Sequence, residues 1–218
     1  MKITDIKIQK NKMRSNIFID GSFFCGLENL TILKNNIKIG QEISQEKLEK
    51  IQLESEIDTA LEKALLLLDK TPYTQYQLSE KLKFRGYLTS VIFQVVEKLK
   101  NMGLIDDKRY CENFIKYNTK ISKKELEFKL MKKGIKKEII KEVLEENTND
   151  QLEKDACKNL CEKKIRGKVL DKDAQLKLTR YLVGKGFNYS LVKCVLKDCL
   201  QNFSDDDDGD FIWFSIKL

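Results

Sequence analysis

Histidine is absent from this 218-residue chain. With it goes the side chain that most often serves as general base near neutral pH, and every Ser-His or Cys-His nucleophile system. The six cysteines, Cys25, Cys111, Cys157, Cys161, Cys194 and Cys199, contain no C-x-x-C pair. Cys157 and Cys161 stand one helical turn apart and could clip a metal. Zinc sites, however, draw on tighter knuckles or on histidine partners. Small apolar residues in a reduced core describe these cysteines better. Neither G-x-x-x-x-G-K-[ST] nor G-x-G-x-x-G occurs, so no phosphate cradle is visible. Asp106-Asp107 is an eye-catching carboxylate pair, but adjacent residues face different sides of a helix, and Asp after an apolar turn reads as an N-cap. No enzyme, metal or cofactor is expected.

Long apolar runs are also missing. The longest, Ala64 to Leu68, is far too short to span a bilayer. Met1 to Asp5 lacks the basic-then-apolar pattern of a signal peptide. The expectation is a cytoplasmic protein with no membrane contact. Arginine is scarce too: Arg14, Arg85, Arg109, Arg166 and Arg180 stand against 36 lysines. That skew argues against base reading, whose commonest contact is a bidentate Arg on guanine, and suits point charges near phosphate.

What is present is charge. Charged residues make up 34% and hydrophobic ones 41%, a balance that fits slender helical modules better than one deep globule. The net charge is +7, but the segment from Asp205 to Leu218 holds five Asp and one Lys, so the body carries +11. A body of that sign favours an anionic partner.

The first 43 residues are strand-like. Ile3, Ile6 and Ile8, then Ile17-Phe18-Ile19, flank polar turns, and Asp20-Gly21 is a two-residue hairpin signal leading into Phe23-Phe24-Cys25. A helical turn is expected at Glu28 to Leu33, and another short strand at Ile37-Lys38-Ile39. Ser44 then caps a long helix, and from there to Gln201 only helices are expected.

Those helices repeat. Aligned on Gly86, Gly134 and Gly186, the chain places Leu78, Leu126 and Leu178 eight residues earlier, and Leu82, Leu130 and Leu182 four earlier. Tyr87, Ile135 and Phe187 follow immediately. Val91-Ile92, Ile139-Ile140 and Leu191-Val192 come next, then Val95-Val96, Val143-Leu144 and Val195-Leu196. The −8 and −4 positions share one helical face, and the later ones form a stripe on the following helix. Each glycine falls where a helix must stop, as a left-handed residue does. Thr74-x-x-Gln77 and Ser122-x-x-Glu125 are capping boxes in the same register. The third copy lacks the box, with Asp173 as its nearest cap. A helix precedes each pair: Ser44 to Asp69, Asp107 to Tyr117, and Asp150 to Ile165. The fold class is therefore mainly α, three tandem three-helix repeats after a small β-rich segment. Boundaries fall at 1–43, 44–103, 104–148 and 149–202, with a disordered acidic tail at 203–218.

The segment Gly103-Leu104-Ile105-Asp106-Asp107-Lys108-Arg109-Tyr110-Cys111-Glu112-Asn113-Phe114-Ile115 resembles the G-x-[IL]-D-D-x-x-[FY]-A-x-x-[FW]-[IV] signature of the RecX family. Leu82 to Tyr87 and Leu182 to Phe187 resemble its K-L-x-x-[KR]-G-[FY] repeats. Ile19 to Phe23 with Gly26-Leu27 is similar to the start of members from Gram-positive bacteria. The resemblance covers about residues 1 to 200. It implies an elongated, curved array of three-helix modules that binds the filament of the RecA recombinase on single-stranded DNA. Such a protein restrains strand exchange, ATP hydrolysis and co-protease activity without chemistry of its own. The implied partners are RecA and, weakly and without sequence preference, single-stranded DNA; a monomer is expected. The chain departs from the pattern at Thr71-Pro72-Tyr73, where many members carry basic residues. It also has Cys111 for the usual Ala, and an ending, Ser204 to Phe214, unlike the family.

The residue before each repeat glycine is a cation: Arg85, Lys133, Lys185. Lys81 and Lys129 stand one turn earlier, with Tyr181 in the third copy. Together with Lys132, Lys163, Lys164, Arg166 and Arg180 these are the candidate binding residues. Two readings stay open. Cations favour helix C-termini for the sake of the helix itself, and a periodic cationic edge also suits a polyanion or an acidic groove. The runner-up reading is a helix-turn-helix transcription regulator, which Gly between two helices invites. Against that, the helices that would enter the major groove carry Glu97, Glu138, Glu142, Glu145, Glu146 and Asp198, which phosphates repel. A solenoid that binds only protein is a third possibility. The segment 205–218 is expected to compete with the anionic partner for the basic body.

Overall fold

β1 (Ile3–Ile8), β2 (Arg14–Ile19) and β3 (Ser22–Glu28) form an antiparallel sheet in the order β1-β2-β3. The β2–β3 turn has positive φ at both central residues, 48° at Asp20 and 85° at Gly21, the combination that a two-residue turn matching strand twist demands. Strand alternation turns Ser15, Ile17 and Ile19 inward. Ile17 and Ile19 meet Ile3, Cys25, Leu27, Ile37 and Ile43, and the first turns of a long helix. This computed structural model describes residues 1–10, 12–165 and 171–205, with side chains through Cys199. The acidic tail was expected at 203–218; residues 203–205 are helical, and the part from Asp206 onward lies outside the described residues.

After β3 come α1 (Asn29–Lys34) and α2 (Gln45–Leu68). Ser44 caps α2 by accepting from the Lys47 N–H at 3.3 Å. Leu48 and Ile51 of α2 cover the sheet, whereas Ile57, Ala60 and Ala64 belong to the next core. One continuous helix thus serves two cores, its apolar face turning between them around Ser55, which accepts a buried hydrogen bond from Thr31 at 3.1 Å. The expected strand at Ile37-Lys38-Ile39 does not form. Asn36 takes a positive φ of 51° and the Ile37 N–H closes back on Ile32 O. Ile37 is buried while Ile39 is exposed, and the backbone is spent on ending α1.

The remaining helices are α3 (Gln75–Phe84), α4 (Thr89–Asn101), α5 (Asp107–Tyr117), α6 (Lys123–Lys132), α7 (Lys137–Asn147), α8 (Asp150–Ile165), α9 (Lys172–Gly184) and α10 (Tyr189–Asp205). Contacts divide the chain into two compact units, 1–106 and 107–218. In the first, α2, α3 and α4 enclose Leu78, Leu82, Val91, Val95 and Leu99. In the second, α5–α7 enclose Cys111, Ile115, Leu126, Leu130, Ile140 and Val143, and α8–α10 enclose Cys157, Cys161, Leu178, Leu182, Phe187 and Val195. All the −8 and −4 leucines are buried.

Each second helix ends in the same way. Gly86, Gly134 and Gly186 have φ of 86°, 79° and 91°. The following N–H of Tyr87, Ile135 and Phe187 reaches back to Leu82 O, Leu130 O and Leu182 O at 3.4, 3.3 and 3.3 Å. With the glycine N–H bonding Lys83 O, Met131 O or Val183 O at 2.9 Å, this double closure satisfies carbonyls that the helix leaves open and seats the residue after the glycine on the leucine whose carbonyl it bonds. Gly103 ends α4 with the same pattern.

The caps differ in detail from expectation. Thr74 and Gln77 form the full reciprocal box. In the second repeat the Ser122 hydroxyl accepts from Glu125 N at 3.1 Å, but the Glu125 carboxylate turns to Lys129 at 2.9 Å. In the third the cap is Asp171, accepting from Ala174 N at 2.7 Å, not Asp173, which sits in the first turn. Ser122 also joins two cores, because its hydroxyl donates to Lys185 O at 2.7 Å while serving as an N-cap acceptor. A hydroxyl can do both at once. A Cβ on Gly186 would lie 2.8 Å from Ser122 Oγ and 3.0 Å from Lys124 Cβ, whereas one on Gly86 would meet nothing within 4 Å.

These two glycines separate backbone strain from crowding. Gly86→Ala should cost about 1–2 kcal/mol, the penalty of a left-handed L-residue. Gly186→Ala should cost more, because crowding at a packed junction typically adds about 1–3 kcal/mol. Urea unfolding of both variants checks this, and equal losses would contradict the Ser122–Gly186 junction.

Candidate binding surface

The double closure that ends α3, α6 and α9 leaves one residue between the last helical residue and the left-handed glycine. In every repeat that residue is a cation with nearly the same backbone: Arg85 (φ −85°, ψ 3°), Lys133 (−84°, 2°) and Lys185 (−79°, 0°). Their side chains are used differently. Arg85 Nη1 donates to Lys81 O at 3.0 Å, so its guanidinium caps its own helix, as favoured for cations at that end. Lys133 instead lies 5.5 Å from the ring centroids of both Tyr110 and Phe114 on α5. Lys185 lies 5.8 Å from Tyr181.

The other candidates fall around these ends. Lys81 is exposed in the last turn of α3. Lys129 is paired with Glu125 and contributes little net charge. Lys132 stands 4.6 Å over the Phe128 ring, one turn earlier on α6. Lys163 and Lys164 occupy the last turn of α8, and Lys164 reaches 4.8 Å from the Tyr181 ring. Lys164 and Lys185 thus converge from two helices on one ring. Arg180 is exposed on α9, and Arg166 lies outside the described residues.

The sequence reading missed the aromatic partners. Tyr181, noted there only as a gap in the cationic series, is the ring on which the third-repeat lysines meet. Phe84 and Phe128 are 92% and 53% exposed. Phe84 sits beside Arg85, and Phe128 packs with Lys132. Their signal was legible, since both are apolar and out of phase with the −8/−4 leucines. Exposed cation–aromatic contacts are weak, about 0.5–1 kcal/mol. Their use lies elsewhere: rings amid cations can meet a partner that is both anionic and apolar.

The acidic side chains are arranged the other way. Lys108 of α5 bridges Glu142 and Glu146 of α7 at 2.6 and 3.5 Å, and the hydrogen bond it donates to Glu142 raises the Lys108 pKa. Asp198 pairs with Lys154 at 2.9 Å. A shallow surface on α7 is still lined by Glu138, Glu142, Glu145 and Glu146 with Lys141. Such a face repels a phosphate backbone. The buried thiols are equally unsuited to reaction. Burial pushes Cys25, Cys111 and Cys157 up to about 11 and raises Cys161 and Cys199 as well. They stay protonated at neutral pH, when the thiolate is the reactive and ligating form. Among the described residues no group of His, Cys, Asp or Glu is placed to hold a metal, and no helix is long and apolar enough to cross a membrane.

Three family models match the chain: the regulatory protein RecX N-terminal domain over residues 1–44, the first RecX three-helix domain over 60–99, and the third over 152–196. Regulatory protein RecX of Clostridium beijerinckii is 34% identical over 210 residues, covering 94% of this chain and 99% of its own. The chain belongs to the RecX family. Regulatory protein RecX of Clostridium tetani is 33% identical over 205 residues, covering 91% of this chain and 94% of that one. Among solved structures, a crystal structure of regulatory protein RecX superposes with a TM-score of 0.67 at 22% identity, covering 90% of this chain and 98% of that one. RecX from Lactobacillus salivarius gives 0.60 at 25% identity over 66% of this chain and 96% of its own. The mainly helical RecX architecture with its N-terminal sheet is thus shared along nearly the whole chain.

If the cations at the helix ends face a partner, they should be dispensable for folding. Arg85→Gln, Lys133→Gln and Lys185→Gln should each cost no more than about 1 kcal/mol, the scale of exposed helix-end charge. Helical content by circular dichroism should be unchanged. Losses well above that in urea unfolding would assign these side chains to stability.

Proposed function

We propose that this RecX-family chain binds the RecA–single-stranded-DNA filament and restrains its recombinase, ATPase and co-protease activities, acting as a cytoplasmic monomer without catalysis of its own. The observation that carries this reading is the end-to-end match to regulatory proteins of one family, 94% of this chain against 99% of the Clostridium beijerinckii relative. Three further features support it. A body of +11 suits an anionic assembly. Cations recur at one backbone position in three repeats, and exposed Phe84 and Phe128 stand among them. The chain also has no histidine, and its buried thiols are held protonated. A sequence-reading helix-turn-helix mode is disfavoured by the glutamates of α7, so contact with DNA alone is expected to be weak and indifferent to sequence. On single strands log affinity should then fall with log salt by roughly 0.7 per phosphate neutralised.

The test is RecA-dependent ATP hydrolysis on single-stranded DNA. The protein should inhibit it at substoichiometric ratios, and unchanged hydrolysis with excess protein at low salt would refute the reading. The triple variant Arg85→Gln/Lys133→Gln/Lys185→Gln, which keeps helix propensity, separates the two roles of the stripe. Lost inhibition with wild-type helicity and melting places the stripe at the partner. Full inhibition by that folded variant would leave the three cations as helix capping.

A further inference from the structure

A groove of about 560 Å³ runs along the outer side of α9 and α10, within the range of about 300–1,000 Å³ typical of ligand sites. Its floor is apolar, with Leu176 and Leu196 and the ring of Tyr189. Leu176 and Tyr189 are 55% and 63% exposed, a large apolar outlay for a surface nothing described covers. Its charged lining is of one sign: Lys172, Lys193 and Lys197. None of the three has a carboxylate partner among the described residues, whereas Lys154 and Lys158 on the neighbouring α8 are paired with Asp198 and Glu162.

An occupant that fits must bring apolar, preferably aromatic, side chains and negative charge within a few residues of one another. The chain holds one such segment: Asp205-Asp206-Asp207-Asp208-Gly209-Asp210, followed at once by Phe211-Ile212-Trp213-Phe214. It begins where α10 ends, at Asp205. We propose that this terminus folds back along α10, sets its aspartates against Lys193 and Lys197, and seats its aromatic residues on Leu176, Tyr189 and Leu196.

The reach agrees. Leu196 and Tyr189 lie about 14 and 24 Å back along α10 from Asp205, at about 1.5 Å per helical residue. An extended chain leaving Asp205 brings Phe211 to about 20 Å and Phe214 to about 30 Å, at about 3.3 Å per residue. Gly209, between the acidic and aromatic parts, gives the backbone freedom to turn. Exposed ion pairs are weak and screened by salt, so the charges alone would not hold the segment. Covalent attachment by a short linker, however, supplies an effective concentration on the order of mM, enough for a modest apolar contact to persist. The same tether favours the chain's own terminus over that of another molecule.

A docked terminus would neutralise part of the third repeat's positive surface and cover its exposed apolar residues. On the function proposed above, and resting on it, the terminus acts as an internal competitor of the anionic partner, relieved when that partner binds more tightly or when salt is raised.

Trp213 is the single tryptophan of the chain, so its fluorescence reports on the terminus alone, with no RecA present. In the full-length protein its emission should be blue-shifted and its quenching by acrylamide severalfold weaker than in a free peptide of residues 205–218. Leu176→Ser and the double change Lys193→Glu/Lys197→Glu alter exposed positions and should return both readings to the peptide values, with helicity by circular dichroism unchanged. An indole as accessible in the intact protein as in the peptide would overturn the proposal. So would a shielded indole that ignores both groove variants, or shielding that grows with protein concentration, the mark of a second copy.

Discussion

Ten- and eleven-residue helices such as α3, α6 and α7 are too short to persist alone in water, and in this chain each is held by the turn that follows or precedes it. A left-handed glycine at 86, 134 or 186 lets the next N–H close on the carbonyl of a leucine one and a half turns back. That bond fixes where the chain goes next. Tyr87, Ile135 and Phe187 are pressed onto their leucines, and the following helix starts at an angle that drives its Val/Ile/Leu stripe into the same small core. The turn also fixes the backbone of the residue before the glycine. A cation there meets open carbonyls, as Arg85 does, or lies across a neighbouring ring, as Lys133 and Lys185 do. Folding and the candidate surface therefore share one local constraint.

Most of this order was legible because it is periodic. The aligned glycines and leucines, the Thr74 and Ser122 caps and the Asp20-Gly21 turn all act through local backbone chemistry, which is written in adjacent residues. What escaped depends on who lies opposite whom. Ile37-Lys38-Ile39 alternates as a strand does, but ending α1 used its backbone. Asp171 and Asp173 are equally good caps by type, and only the helix start decides between them. Nothing in the residue pattern tells that Ser122 donates to Lys185 across two cores, or that Lys164 and Lys185 meet over Tyr181. The Ser122–Lys185 and Lys164–Tyr181 contacts join segments far apart in the chain.

The charges divide into two populations. Several acidic residues of the third helices are tied to lysines of their own unit, such as Glu142 and Glu146 to Lys108 and Asp198 to Lys154. The cations before the left-handed glycines are set against backbone or aromatic rings, Arg85 on Lys81 O, Lys133 beside Tyr110 and Phe114, and Lys185 beside Tyr181. Regulation by occupancy is the role proposed for that surface.

That proposal places the partner at a particular set of backbone positions, and amide hydrogen exchange reads those positions directly. Exchange would be followed in the free protein and in the presence of RecA filaments on single-stranded DNA. The account predicts slowed exchange at the last turns of α3, α6 and α9 and the glycines that follow, with the glutamate-lined surface of α7 unchanged. Protection confined to α7, or no change at the three helix ends under conditions where the protein inhibits ATP hydrolysis, would contradict it.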